Sequence, residues 1–488
     1  MKPHTSTHPG LALALAWGLS FVLTGCAWPG RSAAPLAALQ AQDAGLSDKA
    51  SAVVSDAWWR SWGDPQLAPL IAQTLKGSPT MADVQARVRR MQALSGVVDA
   101  ASLPQATLGA EFSRQRYSAN GLFPPPIAGR TWSNDTLQAG VGWNPDLWGQ
   151  HKAELASAIG QVRAAQADAA MAANTLVHQV VRGHVALARL LAQQAVAERM
   201  VEQRQQMQQL VQQRREAGLD TRIEQAQSDS TLADAAAQAE SLKEQITLTR
   251  HQLAVLSGQA PQALDAWSPR LDALRLEALP THLGADLLGR RPDVVAARWR
   301  VEAAAQDIQV ARTQFYPNVN LSAFAGFNAL GMDRLLDSGS RQYGVVPALR
   351  LPLFDGGRLR AQLSGREAER DSAVTNYNSA VLGAVKEAAD AIASSQSVDR
   401  QWTEQSKALG SAESAHALAQ QRFQAGLGNR LAVLAAESAV LAQRRLAIEL
   451  QARQLDNRAQ LMRALGGGWS ADTTPFGTSA FSTNAAAR

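Results

Sequence analysis

The sequence has 488 residues, a length that ordinarily corresponds to about two to four domains. Apolar residues make up 46%, aromatic residues 5% and charged residues 18%, and the chain contains one cysteine. A single thiol excludes a disulfide framework, and the even spread of apolar residues argues against a polytopic helical membrane protein. The net charge of +5 is distributed along the chain, so the clustered basic surface expected of a nucleic-acid-binding protein is missing from the sequence.

The first 26 residues have the pattern of an export signal followed by a lipidation site. A basic start at Lys2 precedes an apolar run from Leu11 to Leu23, which is too short to cross a bilayer as a helix. The run ends in Leu-Thr-Gly-Cys, which resembles a bacterial lipobox, and this motif predicts a signal peptide over residues 1–25 and an acylated N-terminus at Cys26. The alternative is a secretory signal with an incidental cysteine. Since each buried CH2 contributes ~0.8 kcal/mol to membrane binding, an acylated Cys26 would be a durable anchor.

The chain repeats one order of predicted elements at a spacing of about 208 residues. Each half has a helix, a strand, a turn, a strand, a very long helical stretch, a short glycine turn and another helix. The glycine turns read RREAGL from Arg214 and RFQAGL from Arg422. The long stretches cover about residues 150–217 and 358–425 without an internal proline, and each would extend roughly 100 Å at 1.5 Å per residue. Helices of this length do not fit inside a compact domain.

After each glycine turn, apolar residues recur every seven positions. Such a repeat keeps an apolar seam facing a partner helix, which predicts coiled helices in both halves. A helical bundle without a membrane role is the alternative interpretation of these heptads. The repeating positions are Leu232, Ala239, Ile246 and Leu253, then Leu434, Leu441, Ile448, Leu455 and Met462.

Four stretches alternate between apolar residues and small or polar residues, which predicts strands at about 106–117, 132–144, 318–329 and 341–353. A tilted membrane strand needs ~9 to 11 residues, and each stretch is long enough. Four strands cannot close a barrel, because two open edges would leave backbone groups unpaired in lipid, so closure requires several chains. A small soluble sheet packed on the helices is the alternative, and Pro347 within the fourth stretch favours it.

Three motifs in combination resemble the outer membrane efflux proteins. They are WWRSWGDPQL from Trp58, RRPDV from Arg290, and Tyr316-Pro317 before a predicted strand. The lipobox places the resemblance with the OprM and NodT-like lipoprotein branch of the TolC superfamily. Ala27 follows the cysteine where lipoproteins of the inner membrane typically have aspartate, so the resemblance implies the outer membrane of a Gram-negative bacterium.

The resemblance implies a mainly α fold with a membrane β-barrel. Three copies would contribute 3 × 4 strands to one 12-stranded barrel, and the duplicated long helices would form a periplasmic tunnel. The implied segments are a lipidated part of an equatorial belt (26–65), a first repeat (66–257), an equatorial connection (258–291), a second repeat (292–465) and a flexible tail (466–488).

The same resemblance implies a channel that exports drugs or other small molecules as part of a tripartite efflux pump. Its partners would be further copies of itself, a periplasmic adaptor protein, an inner-membrane pump of RND type and outer-membrane lipid. Neither a cofactor nor a metal is implied, because the pump consumes the energy.

By resemblance, the two glycine turns are the tips at which the adaptor docks and the aperture narrows. A turn that simply ends a helix is the plainer interpretation, and both can hold together. The candidate docking residues are Arg214, Gly218, Leu219, Arg422, Gly426 and Leu427.

The gate is where this sequence departs from the family pattern. The carboxylate expected about two turns beyond the tip glycine is Glu224 in the first half, whereas Ala432 and Ala435 occupy the matching places in the second half. We therefore expect closure to use the carboxylates of Glu224 and Asp220. The candidate partners across helices are Arg222 and Arg430, and Leu431 would add apolar contacts.

Two other classes of function fit the sequence less well. An enzyme is disfavoured because His178 and His184 are six residues apart, which is not the spacing of a helical metal-ligand pair, and because no phosphate loop or nucleophile motif occurs. A coiled-coil lipoprotein with a tethering role in the cell envelope would share the lipobox and heptads. It would not need four amphipathic strands.

Overall fold

The computed structural model describes residues 34–47, 54–275 and 284–469. The predicted signal peptide, Cys26 and residues 470–488 of the predicted tail lie outside these ranges. The described chain is mostly helical and contains one four-stranded sheet, which agrees with the predicted combination of long helices and strands. Within the described ranges, no helix carries an apolar stretch of the length and hydropathy that crossing a bilayer requires.

The two halves of the chain contain the same series of elements. The first half consists of α1 (Leu67–Gly77), α2 (Pro79–Ala101), β1 (Gln105–Arg116), β2 (Thr131–Trp143), α3 (Gln150–Glu216) and α4 (Arg222–Leu256). The second half consists of α5 (Leu287–Arg290), α6 (Pro292–Thr313), β3 (Asn318–Ala329), β4 (Arg341–Arg350), α7 (Arg358–Gln424) and α8 (Arg430–Ala464). Short 3-10 helices occupy Trp58–Trp62, Pro261–Leu264, Leu271–Ala273, Met332–Arg334 and Ser338–Ser340.

The long helices repeat with the spacing that the glycine turns predict. Helices α3 and α7 have 67 residues each, and their first residues are 208 positions apart. Helices α4 and α8 have 35 residues each and are separated by the same interval. Of the predicted heptad positions, Ile246 and Leu253 in α4 and Leu434 and Leu455 in α8 are buried. The seven-residue repeat therefore marks the packed side of these helices.

The described residues form two compact units, and each unit draws on both halves of the sequence. The sheet unit contains residues 34–38, 89–164 and 297–376. The helical unit contains residues 39–47, 54–88, 165–275, 284–296 and 377–469.

The sheet is antiparallel with the order β1-β2-β3-β4. Strand β3 has the bounds that the alternation predicts, β1 and β2 begin one residue earlier, and β4 ends at Arg350, three residues before the predicted end. Pro352 follows closely and has no N–H to donate, which limits how far pairing can continue. Pro347 lies within β4 opposite Leu321, and β4 is an edge strand, the position in a sheet where proline is tolerated.

The tryptophan motif near residue 58 is a packing element of the helical unit. Trp58 and Trp62 are buried, and their ring centroids lie 5.4 Å apart in an edge-to-face arrangement. They share one apolar cluster with residues from α1, α3, α4 and α8, among them Ile71, Val181 and Leu455. Aromatic side chains bury more apolar area than other residues, so this short segment joins four helices.

The RRPDV motif fixes the start of α6 through a buried guanidinium. Arg291 is 3% exposed and forms ion pairs with Asp293 at 2.6 Å and with Glu387 on α7 at 3.0 Å. It also donates to the carbonyl oxygen of Ala464 at the end of α8. A buried charge is tolerated only when it is fully paired, so the motif has a structural reason independent of any binding role.

His184 on α3 is fully buried and both of its ring nitrogens have partners. Its Nε2 lies 2.9 Å from Oδ2 of Asp64, and Trp267 Nε1 lies 3.3 Å from its Nδ1. Because the indole N–H can only donate, Nδ1 accepts and Nε2 donates to the carboxylate. This hydrogen bond holds the pKa of Asp64 below its usual 3.8.

We expect Asp64→Asn to lower the free energy of unfolding by about 1 to 3 kcal/mol at pH 7, because the substitution removes the charge from a buried hydrogen bond. A lowered carboxyl pKa stabilises the fold above pH 3.8, and the contribution is lost as the pH falls through the folded-state value. Thermal melts of the purified protein at pH 7 and below pH 3 measure both effects. The exposed Asp56→Asn is the control. A deficit of equal size at both pH values would contradict this role of the Asp64 charge.

Candidate membrane-spanning sheet and helical tips

The register of the sheet places most of its apolar residues on a single face. Directly opposed residues in an antiparallel ladder share a face, so the rows can be followed from β1 to β4. One such row is Leu108, Ala139, Ala325 and Tyr343. The apolar face comprises Ala106, Leu108, Ala110, Phe112, Leu137, Ala139, Val141, Trp143, Val319, Leu321, Ala323, Ala325, Phe327, Tyr343, Val345, Pro347 and Leu349. At the end nearest the hairpin loops, the same face carries mostly polar residues: Arg114, Arg116, Thr131, Ser133, Asp135, Ala329 and Arg341.

The opposite face is polar or small over most of its area. Its side chains form hydrogen bonds along the rows: Asn328 donates to Asn134 and Thr136, and Gln342 donates to Gln138 at 3.0 Å. The face comprises Gln105, Thr107, Gly109, Glu111, Ser113, Gln115, Trp132, Asn134, Thr136, Gln138, Gly140, Gly142, Asn318, Asn320, Ser322, Phe324, Gly326, Asn328, Gln342, Gly344, Val346, Ala348 and Arg350.

A sheet with one apolar and one mostly polar face fits a position with lipid on one side and water on the other. On the apolar face Leu108 is 76%, Tyr343 86% and Val345 74% exposed. In an isolated soluble sheet these large apolar side chains would be in contact with water. Among the described strands, β1 pairs only with β2 and β4 only with β3, so one edge of each lacks a partner strand. In a bilayer those edges need partner strands, because no water is available to their backbone groups.

Both glycine turns end their helices in the same way. Gly218 and Gly426 have φ of 75° and 71°, the left-handed region that glycine adopts without a Cβ penalty. The N–H of Leu219 donates to the Arg214 carbonyl at 2.8 Å, and Leu427 donates to the carbonyl five residues before it at 2.8 Å. These are Schellman closures, which satisfy the last carbonyls of α3 and α7. They leave Leu219 67% and Leu427 72% exposed, so each tip presents an apolar side chain.

The helices that follow the turns begin with different caps. Helix α4 starts with a capping box, in which the Thr221 hydroxyl accepts from the N–H of Ile223 and Glu224 accepts from the N–H of Thr221 at 2.8 Å. The Thr221 hydroxyl bond lowers the pKa of Glu224. Helix α8 starts with Asn429, whose side chain accepts from the N–H of Ala432 at 2.9 Å. Glu224 thus caps the start of its own helix. In α8 the matching position is Ala432, and the Asn429 side chain makes the cap without a carboxylate.

The first turn contains an ion pair that the second turn lacks. Arg214 binds Asp220 through two bonds of 2.9 Å, and this pairing lowers the pKa of Asp220 and raises that of Arg214. In the second half, the residues at the matching positions are Arg422 and Gly428. The two tips therefore share backbone geometry but differ in how firmly side chains cross-link the turn.

The structure places the predicted gate residues in other pairs within one chain. Arg430 donates to Gln206 on α3 at 2.9 Å, and its guanidinium lies 6.0 Å from the ring centre of Phe423. No hydrogen bond or ion pair among the described residues joins Asp220 or Glu224 to Arg222 or Arg430. Their pairing across helices stays a prediction for contacts between chains. The sequence signature of the capping box, Thr-x-x-Glu, could have indicated that Glu224 binds Thr221.

The sequence shows clear similarity to known proteins over most of its length. The profile described as outer membrane efflux protein matches residues 70–259 and 283–467. The fusaric acid resistance protein FusA of Burkholderia cepacia is 38% identical over 373 residues, covering 74% of this chain and 70% of FusA. The multidrug resistance outer membrane protein MdtP of Shigella flexneri is 31% identical over 480 residues, covering 94% and 97% of the two chains.

Solved structures share the fold. The outer membrane protein VceC from Vibrio cholerae superposes with a TM-score of 0.77 at 32% identity, covering 85% of this chain and 99% of VceC. The outer-membrane channel OprN superposes with a TM-score of 0.78 at 27% identity, covering 91% and 100%. The similarity spans both the sheet unit and the helical unit, since the matched ranges include residues of each.

We expect Asp220→Asn to loosen the first tip, because it removes the charge that holds Arg214. Trypsin cleaves after arginine, and both tips carry arginines at matching positions, so the second tip is an internal control. In the unmodified protein, limited proteolysis followed by mass spectrometry should show cleavage after Arg422 before cleavage after Arg214. In Asp220→Asn the two rates should converge. Unchanged order and rates in the variant would show that the ion pair does not restrain the turn.

Proposed function

The chain belongs to the outer membrane efflux protein family, and from this premise we propose that three copies form one outer-membrane channel for the export of small molecules. The observation that supports the proposal is the sheet itself, which has an apolar face, a polar face and two edges without partner strands. If β4 of each copy pairs with β1 of the next, three copies close 3 × 4 strands into one barrel without open edges. The apolar face then meets lipid, and the polar face lines the water-filled interior.

Outer-membrane location follows from the family, and a lipid anchor at Cys26 is our proposal. The lipobox motif supports it, although Cys26 lies outside the described residues. The intact mass of the mature protein tests this point: the proposal requires a chain that begins at Cys26 and carries acyl groups. An unmodified mass would remove the anchor and leave the channel proposal intact.

We assign transport, and no chemical reaction, to this chain. Its partners in the proposal are a periplasmic adaptor and an inner-membrane pump of RND type, which supplies the energy. The tips are the proposed docking surface, because the Schellman turns expose Leu219 and Leu427 beside Arg214 and Arg422. Exposed apolar side chains surrounded by charges are typical of surfaces that bind another protein.

The exported molecules are proposed to be small organic compounds. One relative is named for resistance to fusaric acid and others for multidrug resistance. Fusaric acid is therefore a suitable first substrate for transport assays with cells that express this chain and its pump.

The gate proposal now concerns contacts between chains. Because Asp220 and Glu224 are already bonded within their own tip, an arginine from a neighbouring chain would have to compete with Arg214 or Thr221. Arg430 is the candidate partner to test first, because within the described residues its guanidinium donates to the neutral Gln206 and not to a carboxylate. Leu431 lies one residue further on and would add apolar contact.

We expect the purified protein to run as a compact trimer on electrophoresis without heating and to dissociate into single chains when heated. The same preparation should give ion conductance in a planar bilayer, because the polar face would enclose water. In the same recordings, Arg430→Ala should raise the conductance or the open fraction. Unchanged conductance in the variant would remove the charge part of the gate.

A tethering lipoprotein would behave differently in both assays. It would show neither a heat-sensitive trimer nor conductance at any voltage, and that pair of results would exclude the channel. A trimer without conductance at any voltage, even after tip substitutions intended to open it, would also contradict the export proposal and leave the tether.

A further inference from the structure

Two aromatic side chains interrupt the polar face of the sheet: Trp132 opposite Gln115 at one end, and Phe324 near the middle. Phe324 on β3 lies directly opposite Gly140 on β2 and Gly344 on β4. The next residue on the same face of β3 is also a glycine, Gly326. The other aromatic residue of this strand, Phe327, lies on the apolar face. Phe324 therefore differs in type from the polar and small residues next to it on this face of β3, and Gly344 leaves room for its ring.

The ring of Phe324 lies over Gly344. A Cβ added at Gly344 would be 2.9 Å from both Cε1 and Cζ of the ring, closer than real Cβ contacts. A residue larger than glycine at position 344 would displace the ring. Gly326 has a separate backbone reason, because a Cβ there would lie 2.2 Å from the carbonyl oxygen of Leu137. A glycine at position 344 thus allows the Phe324 ring to lie where it does.

Polar groups border the ring on one side and an apolar side chain on the other. In the adjacent row, Gln342 donates to Gln138 at 3.0 Å across Gly326, which places an amide pair beside Phe324. In the row on the opposite side, Val346 faces Ser322 and is 50% exposed. Phe324 itself is partly exposed. A flat apolar surface next to fixed hydrogen-bonding groups is therefore open to molecules on this face.

A purely structural role explains only part of this arrangement. An aromatic ring that covers a glycine in a neighbouring strand helps to set the register of a sheet. A phenylalanine on the apolar face could cover a glycine equally well, and its burial in lipid would be more favourable. The structural role therefore does not require a ring that is exposed to water. An aromatic ring additionally binds other rings through offset or edge-to-face contacts, which aliphatic side chains do not offer.

We propose that Phe324, with the Gln138–Gln342 amide pair, forms a contact site for the aromatic part of small molecules that pass along the polar face. The ring stacks against the aromatic group of the solute, and the amides bond its polar substituent. The site deepens the proposed function and rests on it, because the polar face lines the conduit only if the strands close with that face inward.

Two solutes of equal charge and similar shape test the site: benzoate and cyclohexanecarboxylate, which differ in aromaticity. Binding is measured by saturation-transfer NMR on the trimer in lipid nanodiscs, with empty nanodiscs as the reference for partition into lipid. The variants are Phe324→Leu and, as matched control, Phe327→Leu, which makes the same change on the apolar face. Heat dissociation of each trimer shows whether the variants assemble.

The unmodified protein and Phe327→Leu should prefer benzoate, and Phe324→Leu should bind benzoate about two- to tenfold more weakly while its affinity for cyclohexanecarboxylate stays the same. Absence of the preference in the unmodified protein, or its survival in Phe324→Leu, would overturn the site. A variant that only dissociates at a lower temperature would show the structural role alone. Conductance of the same samples is measured separately, so a conducting channel without aromatic preference refutes this proposal and leaves the channel standing.

Discussion

Backbone hydrogen bonding at the two edges of the sheet is the constraint on which the rest of the molecule depends. Water can satisfy an exposed edge in solution, but lipid cannot, and each unpaired group there would cost several kcal/mol. The chain provides a hairpin in each half, β1 with β2 and β3 with β4, and joins them through β2 and β3. The remaining edges of β1 and β4 make association with further copies a requirement of the fold.

The long helices face a second constraint: they must be stabilised without a single globular core. Their stability comes from apolar seams repeated every seven residues and from small clusters, such as the one around Trp58 and Trp62. The two halves supply long helices of equal length, and they differ in the side chains at their tips. The glycine turns close identically, whereas the caps at Thr221 and Asn429 and the ion pair of Asp220 are particular to one half.

Local sequence patterns predicted the helices and strands well, because helix and strand formation depend largely on residues close together in the chain. Alternation located the four strands to within three residues, and stretches without proline located the 67-residue helices. Contacts between distant residues were missed: His184 and Asp64 are 120 positions apart and follow no spacing rule. The cap contact of Glu224 with Thr221 was missed although its Thr-x-x-Glu signature is local. Alternation along β3 already places Phe324 with Ser322 and Gly326, but its contact with Gly344 was missed because that contact depends on strand register.

Hydrogen–deuterium exchange of the purified trimer in lipid tests the edge constraint most directly. The relevant amides are those of β1 that point away from β2 and those of β4 that point away from β3. If neighbouring copies pair these strands, their amides should exchange as slowly as those of the central strands β2 and β3. Rapid exchange at the edges beside slow exchange at the centre would mean that the sheet is open, and the account of a channel closed by three chains would be wrong.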